Sequence, residues 1–192
     1  VWWAMTLLAI VLTVPMFLAR FDIEANGPQT ARARFAIRPV VIFLAAYFLF
    51  GAGYIAYMTF MIAYVRDAGG GAVAQSAFWC LIGLGGISAP WIWRGVMARG
   101  QSGLAMALMI GITAIGAGLP LAGSSPWIFA ASALIFGNGF LATTIATTAF
   151  TRFNFPEQAW PRVIAIITII FSIGQIVGPL VTGAITAFTF TL

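Results

Sequence analysis

The sequence predicts an all-α membrane protein, a polytopic bundle of six transmembrane helices. Three observations predict it. Hydrophobic residues make up 62% of the chain and charged residues 7%, against roughly 45–50% and 25% in a soluble domain. The apolar residues are gathered into six runs, each near the ~20 residues that a helix needs to cross a bilayer core. All the charges fall in the connections between those runs. A charge at the centre of a membrane helix costs roughly 2.5–3.5 kcal/mol, so this division of the chain is the cheapest one.

The first run is Val1 to Ala19, followed by a basic connector, Arg20 to Arg38. The second span is Pro39 to Val65, the third about Ala72 to Trp93, and the fourth about Gln101 to Ala122. The fifth is Pro126 to Thr151 and the sixth about Val163 to Phe190. Pro39 and Pro126 open their spans, where a missing N–H costs no helix bond. Val1 begins an apolar run with no initiator Met and no basic leader. That start is unlike a signal peptide and reads as a chain entered partway through.

Arginine alone supplies the positive charge, nine residues with no lysine. Four of them, Arg20, Arg32, Arg34 and Arg38, lie in the first connector. With that connector in the cytosol, eight arginines fall inside and only Arg66 outside. The positive-inside rule therefore places the chain start outside and residues 20–38 in the cytosol, in an inner (plasma) membrane protein with several spans. The arginines stand mostly singly in short loops, so the basic balance reads as membrane topology and not as nucleic-acid binding.

No histidine is present, which removes Ser-His catalysis, His metal ligands and His proton relays. No span holds an acidic pair, so neither an enzyme, a metal site nor a cofactor is expected. Cys80 is the single cysteine and reads as a small packed hydrophobe. Asp22, Glu24, Asp67 and Glu157, the four acids, all lie in connections. No titrating group is therefore expected in the membrane interior.

Polar side chains form stripes on four spans, counted at about 100° per residue. Tyr47, Tyr54, Tyr57 and Tyr64 share one face of the second span; Gln75, Trp79, Gly83, Gly86 and Pro90 share one of the third. Thr144, Thr147, Thr148 and Thr151 share a face of the fifth, with Asn138 set to one side. Thr168, Ser172, Gln175, Thr182 and Thr186 share one of the sixth. The fourth span is plain: beyond Ser102, Thr113 is its one interior polar residue. Thr, Ser and Gly are common at contacts between membrane helices. An amide in hydrocarbon needs a partner or water, which singles out Gln75, Asn138 and Gln175. The expected substrate-binding set is Tyr47, Tyr54, Tyr57, Gln75, Trp79, Asn138 and Gln175, with the fourth span a lipid-facing support. Rings would offer apolar and cation–π faces, and amides would orient a ligand by hydrogen bonds. Pro90, Gly174, Gly178 and Pro179 are expected to let the third and sixth spans bend beside a cavity.

Several of these features together resemble the major facilitator superfamily of secondary transporters. The basic loop Arg20–Arg38 resembles the cytosolic connection between two six-helix halves. G-x-x-x-G-P at Gly174–Pro179 is similar to the pattern on the symmetry-related helix five of many members. The loop Gly95–Gly100, G-V-M-A-R-G, is similar to the Asp-Arg loop between helices eight and nine, with Ala98 where the Asp would stand. The stretch Phe50–Asp67, FGAGYIAYMTFMIAYVRD, resembles the YbfB/YjiJ-type branch.

The resemblance implies that residues 1–19 are the last helix of the N-terminal half and 20–38 the inter-half loop. Residues 39–192 would then be helices seven to eleven of the C-terminal half, with helices one to five and twelve missing. It also implies a central cavity lined by helices seven, eight, ten and eleven, with nine outside.

The function expected is secondary active transport of a small molecule across the bilayer by alternating access, completed by the missing N-terminal half. The alternative is a channel-like or structural membrane subunit without coupled transport.

Overall fold

The structure is a computed structural model, and it describes residues 7, 10, 11, 40–98 and 103–190. The chain divides into two units, Val1–Arg32 and Ala33–Leu192, and the break falls inside the basic connector. Leu7, Ile10 and Val11 are helical; the rest of the first predicted span and the loop 20–38 lie outside the described residues.

The second unit is built from Val41–Asp67 (α1), Ala72–Met97 (α2), Leu104–Gly118 (α3), Pro126–Asn154 (α4) and Trp160–Phe190 (α5). Short 3₁₀ turns at Leu119–Ala122 and Glu157–Ala159 extend α3 and lead into α5. All five segments are long and apolar enough to cross a membrane, and among the described residues there is no strand. They correspond to the second to sixth predicted spans. α1, α2, α4 and α5 run beyond the apolar core and take Arg66, Asp67, Arg94, Arg152 and Arg162 into their end turns. A 29-residue helix such as α4 is roughly 40 Å long against a hydrocarbon core of about 30 Å. Its ends therefore reach the interface, where arginine keeps its charge in water.

Helix ends follow local chemistry. Ser125 caps α4 by accepting from the Ile128 N–H at 3.4 Å, with Pro126 in the first turn. α1 stops at Gly69, whose φ of +89° suits glycine. The Gly70 N–H then closes the turn on the Val65 carbonyl at 2.9 Å.

α4 is the central helix, packed along α2 on one side and α3 on another. α1 pairs with α5. Both long pairs close on glycines. A Cβ on Gly85 or Gly137 would run into the backbone of Leu134 or Ile82, and one on Gly174 or Gly178 into the carbonyl of Phe48 or Ala52. Gly174 and Gly178 therefore set a close approach of α5 to α1. α5 runs unbroken through Pro179, and α2 through Pro90.

The two pairs meet across stacked rings between α1 and α4. Phe43 lies 4.2 Å from Phe150, Tyr54 4.7 Å from Phe140 and Tyr57 4.0 Å from Phe136, centroid to centroid.

α3 is more engaged than a plain lipid-facing helix. It buries Ala105, Met106, Met109, Thr113 and Gly116, against α4 above all. Leu104, Leu108 and Ile115 stay exposed. Ala107 is exposed, whereas Ile112 packs against the core. Thr113 donates to its own Met109 carbonyl at 2.8 Å, so the one polar group of that span is satisfied within the helix.

Candidate functional site

Contacts fix which way each polar stripe points. Gly86 of α2 abuts Leu141 of α4. On the helical wheel, Trp79, Gly83 and Pro90 lie to one side of Gly86, and Thr144 and Thr148 to the same side of Leu141. α3 meets the opposite side of α4, at Gly139 through Thr113 and Met109. On α5, Thr168, Ser172 and Gln175 follow Phe171 around the wheel on the side turned away from α3. Trp79, Gly83, Pro90, Thr148 and Thr168 are exposed, and Thr144, Ser172 and Gln175 half-buried. The described unit thus carries an open, uncharged polar face opposite α3.

Gln175 lies half-buried on this face, with the buried Tyr54 beneath it. Gln175 Nε2 donates to the Tyr54 hydroxyl. The Tyr54 ring is clamped by Phe140 at 4.7 Å and Phe171 at 5.4 Å, so its hydroxyl is aimed and not free to swing. Tyr47 joins the same stack, 4.8 Å from Phe171. Pro179 has no N–H to bond the Gln175 carbonyl four residues back. Gln175 therefore presents a backbone carbonyl and its side-chain oxygen, both acceptors, beside one unused N–H.

The other expected site residues have separate partners. Tyr57 meets Ser132 Oγ at 2.6 Å, and Ser132 donates to the Gly116 carbonyl at 2.7 Å. The serine proton is used there, so Tyr57 is the donor to Ser132, and this chain of bonds ties α1, α4 and α3 together. Asn138 points into the α2 contact. It accepts from Trp93 Nε1 at 2.5 Å and donates to the Gly85 carbonyl at 3.2 Å and Ser88 Oγ at 3.1 Å. Gln75 folds back onto the Gly70 carbonyl at 3.1 Å, closing the α1–α2 turn. Trp79 is 42% exposed, with its edge to Phe78. Of the seven, Tyr47, Tyr54 and Gln175 are brought together; Tyr57, Gln75, Trp79 and Asn138 lie at four other places.

The threonine stripe of α4 divides. Thr147 and Thr151 are buried with Thr143, each bonding the carbonyl four residues back at 2.9–3.1 Å. Thr144 and Thr148 remain on the open face. On α5, Thr182 lines a cavity of about 640 Å³ with Tyr57, Phe60, Tyr64 and Leu121. The partners that sequence reasoning missed are Phe140, Phe171, Ser132 and Trp93. Phe171 carried a signal, standing one turn before Gln175; nothing local marks Ser132 as the mate of Tyr57. Among the described residues no cluster of His, Cys, Asp or Glu could hold a metal ion.

A bundle of five apolar, bilayer-length helices with an uncharged polar face defines a multi-pass membrane protein. The chain belongs to the major facilitator family of membrane transporters: a family model described as "Uncharacterised MFS-type transporter YbfB" matches residues 1–192. No curated protein and no solved structure matches it.

Proposed function

We propose that the chain forms one wall of a secondary active transporter that moves a small molecule by alternating access. The observation that carries this reading is the polar face opposite α3, where the half-buried Gln175 is held by the hydroxyl of the buried Tyr54. A solute path needs hydrogen-bonding groups that face a cavity, on helices whose backs are sealed by packing. α1, α2, α4 and α5 meet that need. Residues 1–19 then end the N-terminal half, 20–38 link the halves in the cytosol, and 39–192 supply helices seven to eleven. The facing wall comes from the missing N-terminal half of the same transporter. The arginine split supports a chain start outside the inner (plasma) membrane.

The test uses the full-length protein in proteoliposomes, with a substrate first found by thermal stabilisation across a compound library. Tyr54→Phe keeps the ring stack and removes one hydroxyl; Gln175→Ala removes the amide. Each lowers substrate affinity about tenfold, the worth of one well-placed hydrogen bond, with normal insertion. Wild-type affinity in both would make the pair a packing contact. Failure to accumulate substrate against a gradient would favour the channel-like alternative.

A further inference from the structure

Asn138 makes three hydrogen bonds, and all go to one neighbouring helix on the two sides of one residue. Its amide nitrogen reaches the Gly85 carbonyl and Ser88 Oγ, before Pro90; its oxygen takes the Trp93 indole N–H, after Pro90. Pro90 offers no N–H to the Gly86 carbonyl, and its ring crowds that carbonyl, so α2 is weakest there.

Burial changes at the same point. Phe78, Ile82, Gly85, Gly86 and Ala89 are the buried residues of α2, and none follows Ala89. Before Pro90 the helix is also held by backbone contact, since Gly85 and Gly137 admit no Cβ between α2 and α4. Beyond Pro90 only Trp93, Val96 and Met97 touch the core, each half-buried, and the Trp93–Asn138 bond ties that segment to α4.

We propose that Asn138 is a positioning residue that latches the C-terminal part of α2, Pro90–Met97, onto α4, with Pro90 as the hinge. Breaking the Trp93 bond releases that segment, while the close backbone contact at Gly85 and Gly137 holds the rest of α2 in place. A latch of one hydrogen bond opens and closes readily, because its net worth is small. Pro90 lies on the open polar face, so the swing widens one end of that face. This consequence for transport rests on the reading above; the latch itself does not.

The test measures distances between paired spin labels in the intact transporter in lipid bilayers, on a Cys80→Ser background. One pair is Gly95→Cys with Phe153→Cys, at the C-terminal ends of α2 and α4. The other is Val73→Cys with Trp127→Cys, at their starts. A side chain at Gly95 meets nothing within 4 Å, and Phe153, Val73 and Trp127 are exposed.

Trp93→Phe keeps the ring packing and removes only the donor. It and Asn138→Ala shift the closed-to-open ratio of the first pair by roughly threefold to tenfold, the equivalent of one ordinary hydrogen bond. The second pair stays as in the wild type, and Ser88→Ala leaves both pairs unchanged. An unchanged first pair in Trp93→Phe overturns the latch, and so does equal broadening of both pairs, which marks general loosening. Should Asn138→Ala fail to insert, Trp93→Phe decides alone.

Discussion

Gly137→Ala is the substitution for which the structure gives the sharpest expectation. At this position α4 lies directly on the backbone of α2. A Cβ would stand 2.9 Å from Ile82 Cα and 2.8 Å from its carbonyl carbon, and closer still to the carbonyl oxygen. No rotamer change relieves a backbone clash, so the helices must part by about 1 Å to restore ordinary contact. That shift carries the Asn138 bonds to Gly85 and Ser88, now 3.2 and 3.1 Å, past the ~3.5 Å at which a hydrogen bond is lost. Overpacking costs about 1–3 kcal/mol, and hydrogen bonds between membrane helices average about 0.6 kcal/mol each. The expected loss is therefore about 2–4 kcal/mol.

Gly83→Ala and Gly53→Ala are the controls. They lie on α2 and α1, and a Cβ at either meets nothing within 4 Å. Unfolding of the reconstituted protein on titration with denaturing detergent is the assay. Gly137→Ala should unfold well before the wild type, with both controls at or above it. Equal stability of Gly137→Ala and Gly83→Ala would refute the packing argument.

Ala107→Leu, on the exposed face of α3, should leave transport and stability near wild type. Selective loss of substrate affinity with normal expression would bring α3 into the substrate path. Asp22→Asn, Glu24→Gln, Asp67→Asn and Glu157→Gln, made one at a time in the full-length transporter, should each preserve gradient-driven accumulation. A variant that exchanges substrate but no longer accumulates it would locate ion coupling in this segment. A cysteine placed at Thr30 should react with impermeant reagent only after the membrane is opened; labelling of intact cells would reverse the proposed orientation.

For the five spans among the described residues, extent and apolar character were legible because they depend on local quantities: run length, hydropathy and the position of charges. The polar face was legible as well, since a 3.6-residue period places Gln175 and Ser172 together, and Thr144 with Thr148, whatever the neighbours are. The same period also suggested that Gly174 and Gly178 matter, through a spacing that admits close approach.

Partner choice lay beyond it. Asn138 and Gln175 are both amides in apolar helices, and composition treats them alike. Only the crossing of α2 over α4 at Gly85 and Gly137 turns Asn138 into a tie to Trp93, and only the approach of α1 to α5 sets Gln175 against Tyr54. Likewise Tyr57 shares a helix face with Tyr54 but bonds Ser132, because α4 comes nearer to it than α5 does. Hydropathy and periodicity act within a segment. Which groups satisfy one another across segments follows from how closely two backbones can approach, and that the tertiary structure alone decides.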